Sequence, residues 1–191
     1  MERCELCSVA VPAEHRHLID TQNRRLVCSC RACSVLFDNA PGVKLHYKLI
    51  PPDVFDLPGF ELNELFWANL AIPVDLAFFF FDTVAARVAA LYPGPMGAAE
   101  SQLPLTAWDD LVQANPPLRA LEPDVQALLV NRTRGAHEQW LVPIDVCYSL
   151  VGLIRLHWKG LAGGEEVWTA LDEFFGELRR RASTLSTGVV S

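Results

Sequence analysis

The apolar positions of this chain fall into two kinds of run, and each predicts its own kind of element. Leu76-Ala77-Phe78-Phe79-Phe80-Phe81 is short, unbroken and aromatic, the pattern of a strand buried on both faces. Ala71-Ile72-Pro73-Val74 leads into it through Asp75. Arg87 to Tyr92 reads as a neighbouring strand, ended by Pro93-Gly94-Pro95-Met96-Gly97, which the Pro and Gly residues mark as a loop. Val125 to Asn131 and Gln139 to Val142 are two further strands that can pair around the polar stretch Arg132 to Glu138. Towards the C-terminus the period changes. Cys147, Leu150, Val151, Ile154 and Trp158 recur as one helical face between Asp145 and Trp158. Trp168, Leu171, Phe174, Phe175 and Leu178 do the same between Glu165 and Arg181. In that second helix Glu165-Glu166 at the start and Arg179-Arg180-Arg181 at the end both complement the macrodipole. A shorter helix, Ala107 to Ala114, is expected between a capping Thr106 and Pro116-Pro117.

The first fifty residues are organised differently. His15 to Ile19 and Arg24 to Cys28 flank the polar turn Asp20-Thr21-Gln22-Asn23, the signature of a β-hairpin. Pro51-Pro52 then breaks the chain. The expected organisation is a cysteine-rich metal-binding module over residues 1–50, an α+β domain over 51–182 and a frayed tail over 183–191. The fold class is α+β: a small zinc-ribbon or treble-clef-like module, followed by a mixed domain with a β-sheet and C-terminal helices.

Composition narrows the setting. Half of the 191 residues are apolar and a fifth are charged, the balance of a packed globule rather than a disordered chain. The most apolar stretch, Leu65 to Phe81, is interrupted by Pro73 and Asp75 and falls short of the roughly 18–20 residues that a spanning helix needs. Membrane insertion is therefore not expected. The opening residues, MERCELC, carry no basic region followed by an apolar run, so a cytoplasmic location is expected, where thiols stay reduced. Net charge is −7, distributed as +2 over residues 1–48 and −9 over the remainder. Four thiolates and one Zn²⁺ would bring the first segment close to neutral. No basic patch emerges, and a nucleic-acid partner is not expected.

Against that background the cysteines stand out. Cys4-Glu5-Leu6-Cys7 and Cys30-Arg31-Ala32-Cys33 are two C-x-x-C units with 22 residues between them, one on each side of the expected hairpin. A two-residue gap lets both sulfurs of one turn face a single ion, and two such turns complete a tetrahedron at about 2.3 Å per Zn–S bond. Cys4, Cys7, Cys30 and Cys33 are thus the expected ligands, with Zn²⁺ the favoured ion. Iron competes for the same seats, because four tetrahedral thiolates also suit a rubredoxin-like electron carrier. Ser8 and Ser34, where rubredoxin knuckles usually have Gly, weigh against iron. Cys28, His15 and His17 are alternate donors. Cys28 lies two residues from Cys30 and shares its face if the strand continues, and the two histidines share a face of their own strand. A closed four-sulfur site leaves no position for water or substrate, so its usual role is structural. A unit of about 45 residues is near the size at which a metal is commonly needed.

Signatures for P-loops, dinucleotide binding, serine hydrolases and zinc proteases are not found in the sequence, which favours a protein that is not an enzyme. A pocket near residues 93–100 is the enzymatic alternative, with Glu100 and Asp109 lacking an identifiable catalytic partner. Cys147, on an apolar helical face, reads as core, and His137 and His157 as surface or helix-end residues.

The segments CELC, HRHLID, CSCRACSVLFD, IPVDLAFFFFD, ALYPGPMGAAESQLPL, AWDDLV, LEPDVQALLV and WLVPIDVCYSLVGLIR resemble a family of uncharacterised bacterial proteins, many of them actinobacterial. Members of that family are often encoded beside [NiFe]-hydrogenase structural genes. The resemblance covers most of the chain and implies a context rather than a mechanism. The function it suggests is a non-enzymatic zinc-binding accessory or interaction protein, acting in maturation or assembly of a hydrogenase. Its expected partner is a hydrogenase subunit or maturation factor.

Overall fold

The computed structural model describes residues 2–37, 46–69, 72, 74–101, 105–159 and 163–185, with the side chains of residues 105 and 106 outside that description. The expected hairpin forms from β1 (Arg16–Asp20) and β2 (Arg25–Ser29), antiparallel, with His17 opposite Cys28 and Leu18 opposite Val27. Its turn is built by side chains that imitate backbone. Asp20 accepts from the Gln22 N–H at 3.0 Å and from the Asn23 amide at 2.9 Å, Asn23 accepts from the Arg25 N–H, and Arg24 takes a left-handed φ of 57°. A short helix, α1 (Arg31–Leu36), follows, and β3 (Tyr47–Leu49) adds to the far side of β1, giving the order β2-β1-β3.

The remaining strands make a second sheet. They are β4 (Phe55–Asp56), β5 (Leu76–Asp82), β6 (Arg87–Gly94), β7 (Gly97–Ser101), β8 (Gln126–Asn131), β9 (Glu138–Pro143) and β10 (Ser183–Thr184), in the order β10-β4-β9-β8-β5-β6-β7. Every pairing is antiparallel except β10 on β4. The phenylalanine run sits mid-sheet, and six of the seven β5 residues, all but Phe81, are buried. Helices α2 (Glu64–Asn69) and α3 (Leu105–Ala114) cover one face, where Phe66, Trp67 and Leu111 meet Phe79, Leu128 and Leu141. Helices α4 (Ile144–His157) and α5 (Gly164–Arg181) cover the other, where Cys147, Leu150, Phe175 and Leu178 meet Phe78, Leu129 and Trp140. The protein is therefore α+β, with a double-sided core around one sheet. No helix among the described residues is long and apolar enough to cross a membrane.

Three expectations need correction. The Pro93 to Gly97 segment is not an open loop: β6 runs on to Gly94, turns through Pro95-Met96 and returns as β7. Pro93 is tolerated because the β5–β6 register ends at Leu91, so that ladder requires no N–H from it. Helix α3 begins at Leu105, which puts Thr106 inside the first turn rather than at a cap. Ser183 and Thr184, expected in a frayed tail, pair with Phe55 and Asp56, and Leu185 packs on the apolar cluster behind them. Residues 71 and 73 of the expected lead into β5, and 186–191 of the expected tail, lie outside the described residues.

The small sheet is joined to the large one through its core and its charges. Ile19 and Ile50 belong to the same apolar cluster as Phe78, Leu129 and Ile154. Arg24 pairs with the buried Asp82, Lys48 with the buried Asp124, and His17 with Asp145 on α4. Arg16 donates to the Ile50 carbonyl at 2.9 Å.

Candidate metal centre

Two segments deliver the four sulfurs, and the hairpin between them brings them together. Cys4 to Cys7 form a tight knuckle closed by the Cys4 N–H to the Val9 carbonyl and the Ser8 N–H to the Cys4 carbonyl, each 2.8 Å. An antiparallel bridge between Arg3 and Ala10 holds its ends together. The knuckle is fastened to the hairpin by the Glu5 N–H donating to the Cys28 carbonyl and the Cys28 N–H donating to Glu5 Oε1, at 2.9 and 3.0 Å. Glu5 also pairs with Arg25, and these contacts, the Cys28 amide foremost, hold its carboxyl below the usual range. Cys30 then caps α1, its Sγ accepting the Cys33 N–H at 3.4 Å, which places Cys33 in the first helical turn facing the same point. Knuckle, hairpin, helix is the order of the treble-clef alternative rather than of a ribbon with two β-knuckles.

The outcome is a compact group. The four Sγ atoms all lie within 4.8 Å of one another, and Cys7 Sγ is 3.6 Å from Cys30 Sγ. A tetrahedral ion with bonds of about 2.3 Å requires sulfur separations of about 3.8 Å, so the cluster could hold a metal ion with little adjustment. Cys4 forms the floor at 1 % exposure, Cys30 and Cys33 are half-buried and Cys7 is open to solvent. Proton affinities show the strain of crowding thiols. Burial opposes ionisation of Cys4, yet the amides of Cys30, Leu6 and Cys7 aimed at its sulfur pull it down to about 6. Cys33, hydrogen-bonded to Cys7 and Cys30, is pushed up to about 12. Cys7 is likewise raised, and a cation held among the sulfurs would favour their thiolate forms.

Ser8 has a φ of 63°, the left-handed geometry for which this position usually carries Gly, and Arg3 Nη1 braces its carbonyl at 2.9 Å. The serine therefore adopts the required turn. Its presence does not separate zinc from iron.

The alternate donors are placed elsewhere. One ring nitrogen each of His15 and His17, with Cys28 Sγ, form a second group within 4.8 Å of one another. Cys28 is thus grouped with the histidines and Cys30 with the other cysteines. Burial, followed by Glu2 and Glu5, holds the Cys28 thiol above its ordinary value. Two residues that sequence reasoning passed over brace these donors. Glu5 ties the knuckle to β2, and Asp145, 128 positions from His17, accepts from its ring at 2.9 Å. The place of Glu5 between the two cysteines of CELC is the one sequence signal for the first, whereas nothing in the sequence points to the second. His137, read as surface, lines a cleft with Arg132, Glu138 and Arg179. Cys147 is fully buried in the core, where burial raises its thiol well above the ordinary value. Glu100, in the segment of the enzymatic alternative, pairs with Arg87 across the β6–β7 hairpin.

Fold and site together define an α+β protein with a four-cysteine, metal-competent module docked on a two-sided sheet domain. Residues 3–182 match the model of a family of unknown function, DUF5947, and the chain belongs to that family. The match spans both the cysteine module and the sheet domain. No curated protein and no solved structure matches the chain.

Proposed function

We propose that this protein is a non-enzymatic accessory or interaction protein whose N-terminal module is organised by a structural Zn²⁺ bound to Cys4, Cys7, Cys30 and Cys33. The observation that carries the reading is the convergence of four sulfurs within 4.8 Å, all supplied by the knuckle and the start of α1. Four thiolates fill a tetrahedron, leaving the ion nothing to do but hold the chain. The partner we propose is a hydrogenase subunit or maturation factor, met in the cytoplasm. That step rests on the sequence resemblance described above. Stoichiometric zinc in the colourless native protein is the expected result of metal analysis. Red, iron-loaded protein from anaerobic cells would instead establish the electron carrier, a reading kept open by the turn geometry at Ser8. The partner is tested by co-purification of the tagged full chain with hydrogenase subunits and by hydrogenase activity in a deletion strain. Failure of both results removes the hydrogenase role while leaving the zinc site intact.

A further inference from the structure

The second donor group, on the hairpin face that looks towards α4, has features that a pair of surface histidines does not require. His15 Nδ1 donates to the Pro12 carbonyl at 3.0 Å, and His17 Nδ1 donates to Asp145 Oδ2 at 2.9 Å. Both acceptors are oxygens without a proton to give, so both neutral rings carry their proton on Nδ1 and a lone pair on Nε2. The His15 side chain is only 5 % exposed, and its Nε2 is buried with no hydrogen-bond partner. A buried lone pair left without a donor is a net cost to the fold, which a bound Lewis acid would recover. The two rings meet edge to face with centroids 4.7 Å apart, and Cys28 stands directly across the hairpin from His17.

We propose that His15 Nε2, His17 Nε2 and Cys28 Sγ form a second metal site, separate from the four-cysteine seat, for one late divalent transition ion with an open coordination position. Two imidazoles and one thiolate select Zn²⁺, Co²⁺, Ni²⁺ or Cu²⁺ and disfavour Mg²⁺ and Ca²⁺, which take oxygen ligands. The Pro12 carbonyl and the Asp145 carboxylate supply the outer contacts that metal-bound histidines use to fix tautomer and ring orientation. On binding, the Cys28 thiol gives its proton to solvent and its sulfur pair to the ion. Three protein ligands leave a fourth position for water or another small donor. His15 and His17 also line a cleft of about 320 Å³ between the module and the α4–α5 pair, walled by Ser149, Glu177 and Arg181, through which such a donor can arrive. The inference stands whichever ion occupies the four cysteines.

The test uses the full chain, stripped of metal under reducing conditions and titrated with Zn²⁺ and, separately, Co²⁺. Wild type is expected to bind two equivalents, with two sets of cobalt d–d bands. Cys28→Ser and His15→Gln are expected to bind one and to lose only the band set with the weaker thiolate charge transfer. Asp145→Asn is expected to weaken the second equivalent about 10–100-fold while leaving the first unchanged. Cys4→Ser is expected to show the converse loss, so the two sites fail separately. A wild type that saturates at one equivalent, or a folded Cys28→Ser that still binds two, overturns the proposal. Circular dichroism decides whether each variant is folded, and Cys28→Ser, the smallest change, remains decisive if His15→Gln does not fold.

Discussion

Ser8 shows how much of the module depends on single backbone angles. Its φ of 63° is steep for a residue with a Cβ, yet the Arg3 contact and the knuckle bonds hold it. Ser8→Gly is expected to leave zinc affinity unchanged and the melting temperature equal or higher, whereas Ser8→Val, β-branched, is expected to cost about 1–2 kcal/mol. Thermal denaturation of the two variants reads the difference. Asp82 makes a second residue-scale case, because it joins the module to the sheet. Its carboxylate is buried but accepts from the Val84 and Ala85 amides and pairs with Arg24, which together keep it below its ordinary 3.8 despite burial. A lowered folded value means that the unfolded chain takes up the proton first on acidification. The stabilisation is therefore complete above about pH 5 and drains as pH falls through 3.8 towards the folded value. Asp82→Asn is expected to cost about 1–3 kcal/mol at pH 7 and to flatten stability between pH 5 and 3 relative to wild type. Urea unfolding at the three pH values measures both. At this scale the sequence was most explicit about the sulfurs, since C-x-x-C spacing encodes convergence directly. It was silent about Asp145 and Asp82, whose partners are distant along the chain and whose residue type is common on any surface.

At the scale of elements, legibility followed burial. The phenylalanine run, the paired β8 and β9 and the two C-terminal helices declare themselves because a buried face imposes a period on many consecutive residues. Strands β4 and β10 have two residues each, too few for a period, and owe their conformation to pairing with each other and with β9. The hairpin of β6 and β7 was hidden by its turn chemistry. Pro93-Gly94-Pro95-Met96-Gly97 signals a reversal correctly, but the reversal takes two residues and the flanking Pro and Gly stay in register. The centre of the sheet also carries the clearest packing prediction. Leu129 on β8 is fully buried among Phe78, Trp140 and the α4 side chains, so Leu129→Ala is expected to destabilise by about 2–5 kcal/mol, read from denaturant midpoints at unchanged slope. Phe81, on the same sheet but more than a third exposed, is expected to tolerate truncation far better.

For the whole molecule, the module does not hang from a linker. Ile19 and Ile50 share the large domain's core, and among the described residues the Arg24–Asp82 and Lys48–Asp124 ion pairs and the His17–Asp145 hydrogen bond tie the small sheet to the large domain. Metal binding should therefore stabilise the entire chain and not the first fifty residues alone. With free Zn²⁺ at 100 times the dissociation constant the gain is about 2.7 kcal/mol, or about 5–10 °C in melting temperature for a chain of this size. Calorimetry with and without a chelator is expected to show one transition that moves. Two separate transitions, with only the smaller one responding to metal, would mean that the contacts between sheets do not couple the units.

The turn at Asp20 to Arg24 supplies none of the sulfurs, yet it governs which side of the ribbon each side chain occupies. Leu18 and Val27 look one way, and His17, Ile19, Leu26 and Cys28 look the other. Inserting one residue there would invert the ribbon: the imidazoles would exchange places with aliphatics, the isoleucine would leave its socket and the helix-capping cysteine would arrive half a pleat out of step. Five polar residues without a metal-binding atom in use thus act as the gauge by which the donors of the ribbon are set.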